Sequence, residues 1–499
     1  MSQPICIIVW IVVLLLFTVN AQTAAQSVLR PVIEWTLCPF DLPPDEIRGE
    51  TVVCGRLLTA EDHSGADSPT IQIAFAVLIS PTPTAEPLIF LEGGPGISAL
   101  AGVERWWQSP LRASRDIILF DQRGAGFSEP NLNCIELEAA PLTDALAAVQ
   151  ACYDRLLADG IALTAYNSAQ SAADLLDLRG ELAKARDYTA YHLLGISYGT
   201  RLALTVLRDS PTGIRSAVLD STLPPQIDLY NEIGRVGLNA LNTLIESCEA
   251  DATCNAAYPN LGAVLINTVE RLNIEPAIFV ADGAQNPPIE FVMTGDDFVG
   301  VVIGALYQTH QIPLLPRLIY AVWREDYSGV APTLRGELFA APTDGAEFGD
   351  RTESEGLMLS VQCHEEIPFN DLTAARLDAT SFPAALRQNL LSVAETWFAD
   401  CTIWQVGAPD PSEDQPVRSD SPVLILAGQY DPVTPPEWGR LAAETLPNST
   451  FLTFRGVGHS VIDSGPCPVQ IVTAFLAAPD DPVDAACAAE LAAPVFVTP

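Results

Sequence analysis

Tyr191-His192-Leu193-Leu194-Gly195-Ile196-Ser197-Tyr198-Gly199-Thr200-Arg201-Leu202 is the stretch on which the reading of this chain turns. The apolar run YHLLGI has the length and composition of a buried strand. The residues from Tyr198 to Arg208 read as a helix, and G-x-S-x-G joins the two. A strand that turns this sharply into a helix strains the serine backbone and holds its Oγ clear of the sheet. Glycines are needed on both sides because a Cβ there would strike the neighbouring strand or helix. Ser197 is therefore the expected nucleophile.

An acyl-transfer serine needs donors for the oxyanion. Glu92-Gly93-Gly94-Pro95-Gly96 ends another apolar run, Pro87–Glu92 (PLIFLE), where such a loop belongs. The backbone amides of Gly94 and of Tyr198, the residue after the serine, are the expected oxyanion donors. The orienting acid and the histidine should then follow the serine in that order. Pro422–Asp431 (PVLILAGQYD) is a buried run, a glycine and an aspartate in a loop, which suits Asp431 as the acid. Val457-Gly458-His459-Ser460 comes after a further strand-like run. The chain has five histidines; His63 lies in a polar loop, His192 in the strand before the turn, and His310 and His364 in the middle region. His459 is the expected base. It would take the Ser197 proton and pass it to the leaving group, with Asp431 fixing its tautomer. The chemistry requires no metal and no organic cofactor.

The flanking pattern agrees with a mostly parallel sheet. Arg115–Asp121 (RDIILFD), Arg215–Asp220 (RSAVLD) and Thr450–Phe454 (TFLTF) are further short apolar runs, and helical patterns such as Ala169–Ala185 alternate with them. From Leu223 to about Ser419 the pattern changes to amphipathic helices and Pro-rich connectors, for example Leu238–Ser247 and Pro313–Trp323. The expected organisation is a leader (1–25), a first core part (26–222), a mainly helical cap insertion (223–419) and a second core part (420–499).

Hydrophobic residues make up 48% of the 499 and charged residues 17%, so a packed chain is expected throughout most of its length. The 25 basic and 62 acidic residues leave a net charge of −37. Such a surface repels phosphate backbones and anionic lipid, which argues against nucleic acid and membrane partners. The run from Ile5 to Val19 is too short to span a bilayer and precedes small residues, so a signal peptide cut after Ala21 or Ala25 is expected. No Lys or Arg precedes it, which leaves an uncleaved anchor open. Beyond the leader and its Cys6, ten cysteines remain. An even number in an exported chain suggests disulfides, with neighbours along the chain as the simplest pairing.

Three motifs together carry a resemblance: Gly93-Gly94-Pro95-Gly96, Asp121-Gln122-Arg123-Gly124-Ala125-Gly126-Phe127-Ser128 and Gly195–Gly199. With GQYDPVTPP (Gly428–Pro436) and GVGHS (Gly456–Ser460), they resemble the proline iminopeptidases and secreted tripeptidyl aminopeptidases of the α/β-hydrolase fold. The resemblance implies that fold, with a helical cap over the site. It also implies cleavage of short peptides from a free N-terminus; a monomer with no integral membrane partner is expected. In that family carboxylates near the cap hold the substrate ammonium; here Glu365 and Glu366, after Cys363-His364, take that place. Glu92 stands where the iminopeptidases commonly have histidine, which favours the tripeptidyl branch. Asp121 and Arg123 are expected to brace the glycine loops without touching substrate. Two other readings stay open at this point: a secreted carboxylesterase or lipase with the same triad, and a non-catalytic binding module.

Overall fold

The computed structural model describes residues 30–65, 67–83, 85–139, 144–280, 290–330 and 351–499. The expected leader lies outside them. Nine strands form one sheet: β1 (Val32–Thr36), β2 (Val52–Ala60), β3 (Thr70–Leu78), β4 (Leu88–Leu91), β5 (Ile117–Phe120), β6 (Tyr191–Ile196), β7 (Ile214–Asp220), β10 (Val423–Gly428) and β11 (Ser449–Phe454). Their spatial order is β1-β2-β3-β5-β4-β6-β7-β10-β11. The first three strands and β5 pair antiparallel, and every pair from β5 to β11 is parallel. The sheet is mostly parallel, as the sequence suggests.

Successive side chains on a strand point to opposite faces, and here both faces are covered. Phe90, Leu194, Val218 and Leu426 pack on one side with Ile471 and Phe475 of the helix Pro466–Ala477. Leu91, Leu193, Leu219 and Ile425 pack on the other, against Leu175 of the helix Ser168–Arg186 and Leu202 of the helix Tyr198–Asp209. Burial on both faces explains why β4, β5, β6 and β10 are apolar at nearly every position.

Between β7 and β10 the described residues are mainly helical, with long helices at Leu229–Ala250, Leu261–Ile274, Gly295–Tyr307 and Arg387–Ile403. Leu241, Leu265, Phe298 and Ile319 form a separate apolar cluster there. The sequence reading had no strands in this region, yet β8 (Ala277–Val280) and β9 (Glu290–Met293) make a two-stranded antiparallel sheet. Five disulfides join Cys38–Cys54, Cys134–Cys152, Cys248–Cys254, Cys363–Cys401 and Cys467–Cys487. Each links neighbouring cysteines, as expected. Among the described residues no helix is long and apolar enough to cross a membrane.

Candidate active site

Ser197 caps the helix Tyr198–Asp209 with φ 56° and ψ −127°, a conformation that costs a non-glycine residue energy and persists only when its surroundings enforce it. Its amide donates to the Asp220 carbonyl at 2.9 Å, and its own carbonyl accepts from the Thr200 hydroxyl at 2.6 Å. A Cβ on Gly199 would run into the Leu91 carbonyl, and one on Gly195 into the Gly199 carbonyl. The tight crossing of β4, β6 and the helix thus requires both glycines.

Gly93 packs on the serine: a Cβ there would lie 3.2 Å from Ser197 Cβ and 3.8 Å from its Oγ. The glycine loop therefore runs beside the Ser197 hydroxyl. Asp121 fixes that loop from below. One carboxylate oxygen accepts from Ser98 Oγ at 2.9 Å and the Leu100 amide at 3.0 Å; the other accepts from the Phe127 amide at 2.8 Å. Burial pushes its pKa up to about 6 against the pull of those donors. Arg123 braces a different place, bidentate on Asp174 at 2.6 and 2.8 Å. Both residues act as braces, and each has its own partner.

Asp431 Oδ2 accepts from His459 Nδ1 at 2.8 Å. The same oxygen accepts from the Thr434 hydroxyl at 2.8 Å, which also lies 3.1 Å from His459 Nδ1. Oδ1 accepts the amides of Val433 and Thr434, both at 2.9 Å. Burial alone would raise the Asp431 pKa, but the imidazole and these donors together hold it below the ordinary carboxylate value. His459 Nε2 is buried and has no hydrogen-bond partner among the described residues.

The histidine loop is pinned to the end of β7. Asp220 accepts the amides of Val461 at 2.8 Å and Ile462 at 2.7 Å, and Ser221 Oγ accepts that of Ser460 at 2.9 Å. Asp220 therefore holds the serine turn by its main chain and the histidine loop by its side chain. From the other side, the Tyr307 ring stacks on the imidazole at 4.2 Å and its carbonyl accepts the His459 amide at 2.9 Å. Thr434, Asp220 and Tyr307 escaped the sequence reading. Thr434 lies three residues past Asp431 on a turn, a usable local signal; Tyr307 carries none, since it ends a helix remote in sequence.

Glu365 and Glu366 lie in a π-turn, Gln362–Glu366, and each is only 2% exposed. The structure gives them an internal cation. Arg201 Nε donates to Glu365 Oε2 at 2.9 Å, and the same guanidinium sits 2.8 Å from Glu366 Oε1. Glu365 also accepts from the amide and hydroxyl of Ser168. Glu365 thus already holds three internal donors.

Residues 86–239 match the family described as alpha/beta hydrolase fold, and residues 391–487 match the TAP-like protein family. Serine protease Hip1 of Mycobacterium tuberculosis is 24% identical over 498 residues, covering 92% of this chain and 91% of that protein. Carboxylesterase B of the same species is 24% identical over 485 residues, covering 89% and 87%. Tripeptidyl aminopeptidase of Streptomyces lividans is 27% identical over 238 residues, 42% of each chain. The chain has the α/β-hydrolase fold, is similar to these peptidases and is a serine hydrolase.

Proposed function

We propose that this chain is an exported serine aminopeptidase that releases short peptides, tripeptides in the first place, from free N-termini. Ser197 is the nucleophile, His459 the general base and Asp431 its orienting carboxylate. The imidazole carries the reading. Its Nδ1 is committed to Asp431 while its buried Nε2 has no partner among the described residues, on a loop tied through Asp220 to the strained serine turn. An imidazole held so is fixed in orientation, with Nδ1 on the carboxylate and Nε2 left for proton transfer.

In the first step Ser197 Oγ bonds to the scissile carbonyl carbon and its proton passes to His459 Nε2. The carbonyl electron pair moves to oxygen, facing the amides of Gly94 and Tyr198. Collapse of this adduct breaks the C–N bond, and the leaving amine takes the proton from Nε2. A water molecule, deprotonated by the same nitrogen, then hydrolyses the acyl-enzyme. We assign residues 223–419 to a cap over this site. The peptide substrate and export rest on the peptidase relatives and the five disulfides. Because Carboxylesterase B matches at equal identity, an esterase is the second reading.

A fluorophosphonate probe should label the wild type and not Ser197→Ala. Tripeptidyl anilides with a free amine should be cleaved and N-acetylated ones spared. Turnover of acyl esters alone would establish the esterase instead.

A further inference from the structure

The turn that places the nucleophile is gripped from behind by a single carboxylate. Ser168 Oγ donates to Glu365 Oε2 at 2.7 Å and lies 2.8 Å from Tyr198 Oη. Ser168 has one hydroxyl proton, and it goes to Glu365 Oε2. The Ser168 lone pair must then accept the Tyr198 hydroxyl proton. Burial raises the Tyr198 pKa well above its ordinary value, so that proton stays in place. The chain runs one way: Tyr198 to Ser168 to Glu365. One helical turn along, Arg201 Nε donates to the same Oε2 at 2.9 Å. Tyr198 and Arg201 are three residues apart and share a helix face, so one side chain holds both ends of the first turn.

We propose that Glu365 is a positioning residue of the oxyanion hole, fixing the Tyr198 amide by clamping Tyr198 through Ser168 and Arg201 directly. The inference rests on Ser197 as nucleophile and on the Tyr198 amide as oxyanion donor. It departs from the family-based expectation that Glu365 binds a substrate ammonium, for which Arg201 would have to be displaced. The element carrying Glu365 is itself anchored. Cys363 is bound to Cys401 in a disulfide, and the His364 ring lies 3.6 Å from Glu413. Ser197, forced to positive φ, needs such support, and π-turns recur where a helix is distorted for function.

The test uses the full chain and whichever substrate the wild type turns over. Glu365→Gln keeps the shape but sets an amide N–H against donors. It should lower kcat about 10- to 100-fold with KM nearly unchanged. Affinity for a peptide aldehyde, which forms a tetrahedral adduct on the serine, should fall by the same factor while affinity for the product peptide holds. Tyr198→Phe alone should cost about 3- to 10-fold in kcat, and little more once Glu365 is already Gln. Should Glu365→Gln fail to fold, Tyr198→Phe and Ser168→Ala carry the test by the same kcat and aldehyde readouts. A raised KM at unchanged kcat would overturn the proposal in favour of ammonium binding, and unchanged kinetics or additive effects would overturn it outright. If fluorophosphonate does not label wild-type Ser197, or Ser197→Ala keeps its activity, the underlying reading has failed. If the wild type is labelled and Glu365→Gln is unimpaired, this inference alone has failed.

Discussion

Asp431 and Glu366 lie equally deep, each 2% exposed, and their acidities diverge. Asp431 sits on the β10 side of the site and Glu366 behind the serine turn. Burial pushes both pKa values up. Around Asp431 an imidazole, a hydroxyl and two amides all donate to the carboxylate, and its pKa ends below the ordinary value. Glu366 faces one guanidinium, shared with Glu365 and out of hydrogen-bonding alignment with Glu366 Oε1, and its pKa ends at about 8. Asp220, with two amides and the Ser221 hydroxyl at 3.2 Å, lies between at about 6. Depth alone does not set the charge of a buried acid; the donors aimed at it do. The donors around Asp431 favour its ionised form, while burial beside a shared guanidinium favours the protonated form of Glu366.

The strongest way to break this contrast is Asp431→Asn, which keeps the shape and removes the charge. Turnover should fall about 10³- to 10⁴-fold with an unchanged circular dichroism spectrum; steady-state rates near wild type would reject the triad. Next comes Thr434→Val, which deletes the hydroxyl shared by Asp431 and His459. A hydrogen bond to a charged group of this kind should be worth about tenfold in kcat, and an unaffected rate would mean that the two amides suffice. The smallest effect is on stability. Glu366 binds its proton more tightly folded than unfolded, so its contribution is full below about pH 4.5 and is lost as pH rises through about 8. Thermal melts of the wild type should therefore decline across that window, and those of Glu366→Gln should decline less. Parallel curves would place the alkaline sensitivity elsewhere.

Much of this arrangement is legible in the chain itself. The apolar runs at 87–92, 115–121, 191–196, 215–220, 422–427 and 450–454 all form strands, and in β4, β5, β6 and β10 burial on both faces demands continuous apolar residues. The strands β1 to β3 went unnamed: β2 and β3 belong to the antiparallel edge, where polar positions such as Arg56 and Gln72 interrupt the run. The glutamate pair shows the opposite case. Adjacent acids read equally well as a solvated pair or a substrate site, and nothing within several residues distinguishes them from a brace around Arg201.

Local pattern thus determined the strands and the strained serine turn, since each is encoded by residues within one element and its flanking glycines. The partners came from packing alone. Glu365 meets Ser168 and Arg201 across 197 and 164 positions, and Asp220 meets Val461 across 241. Such contacts, and the ionisation states they impose, exist only once the sheet has brought the distant segments together, because a charge answers to its neighbours in space.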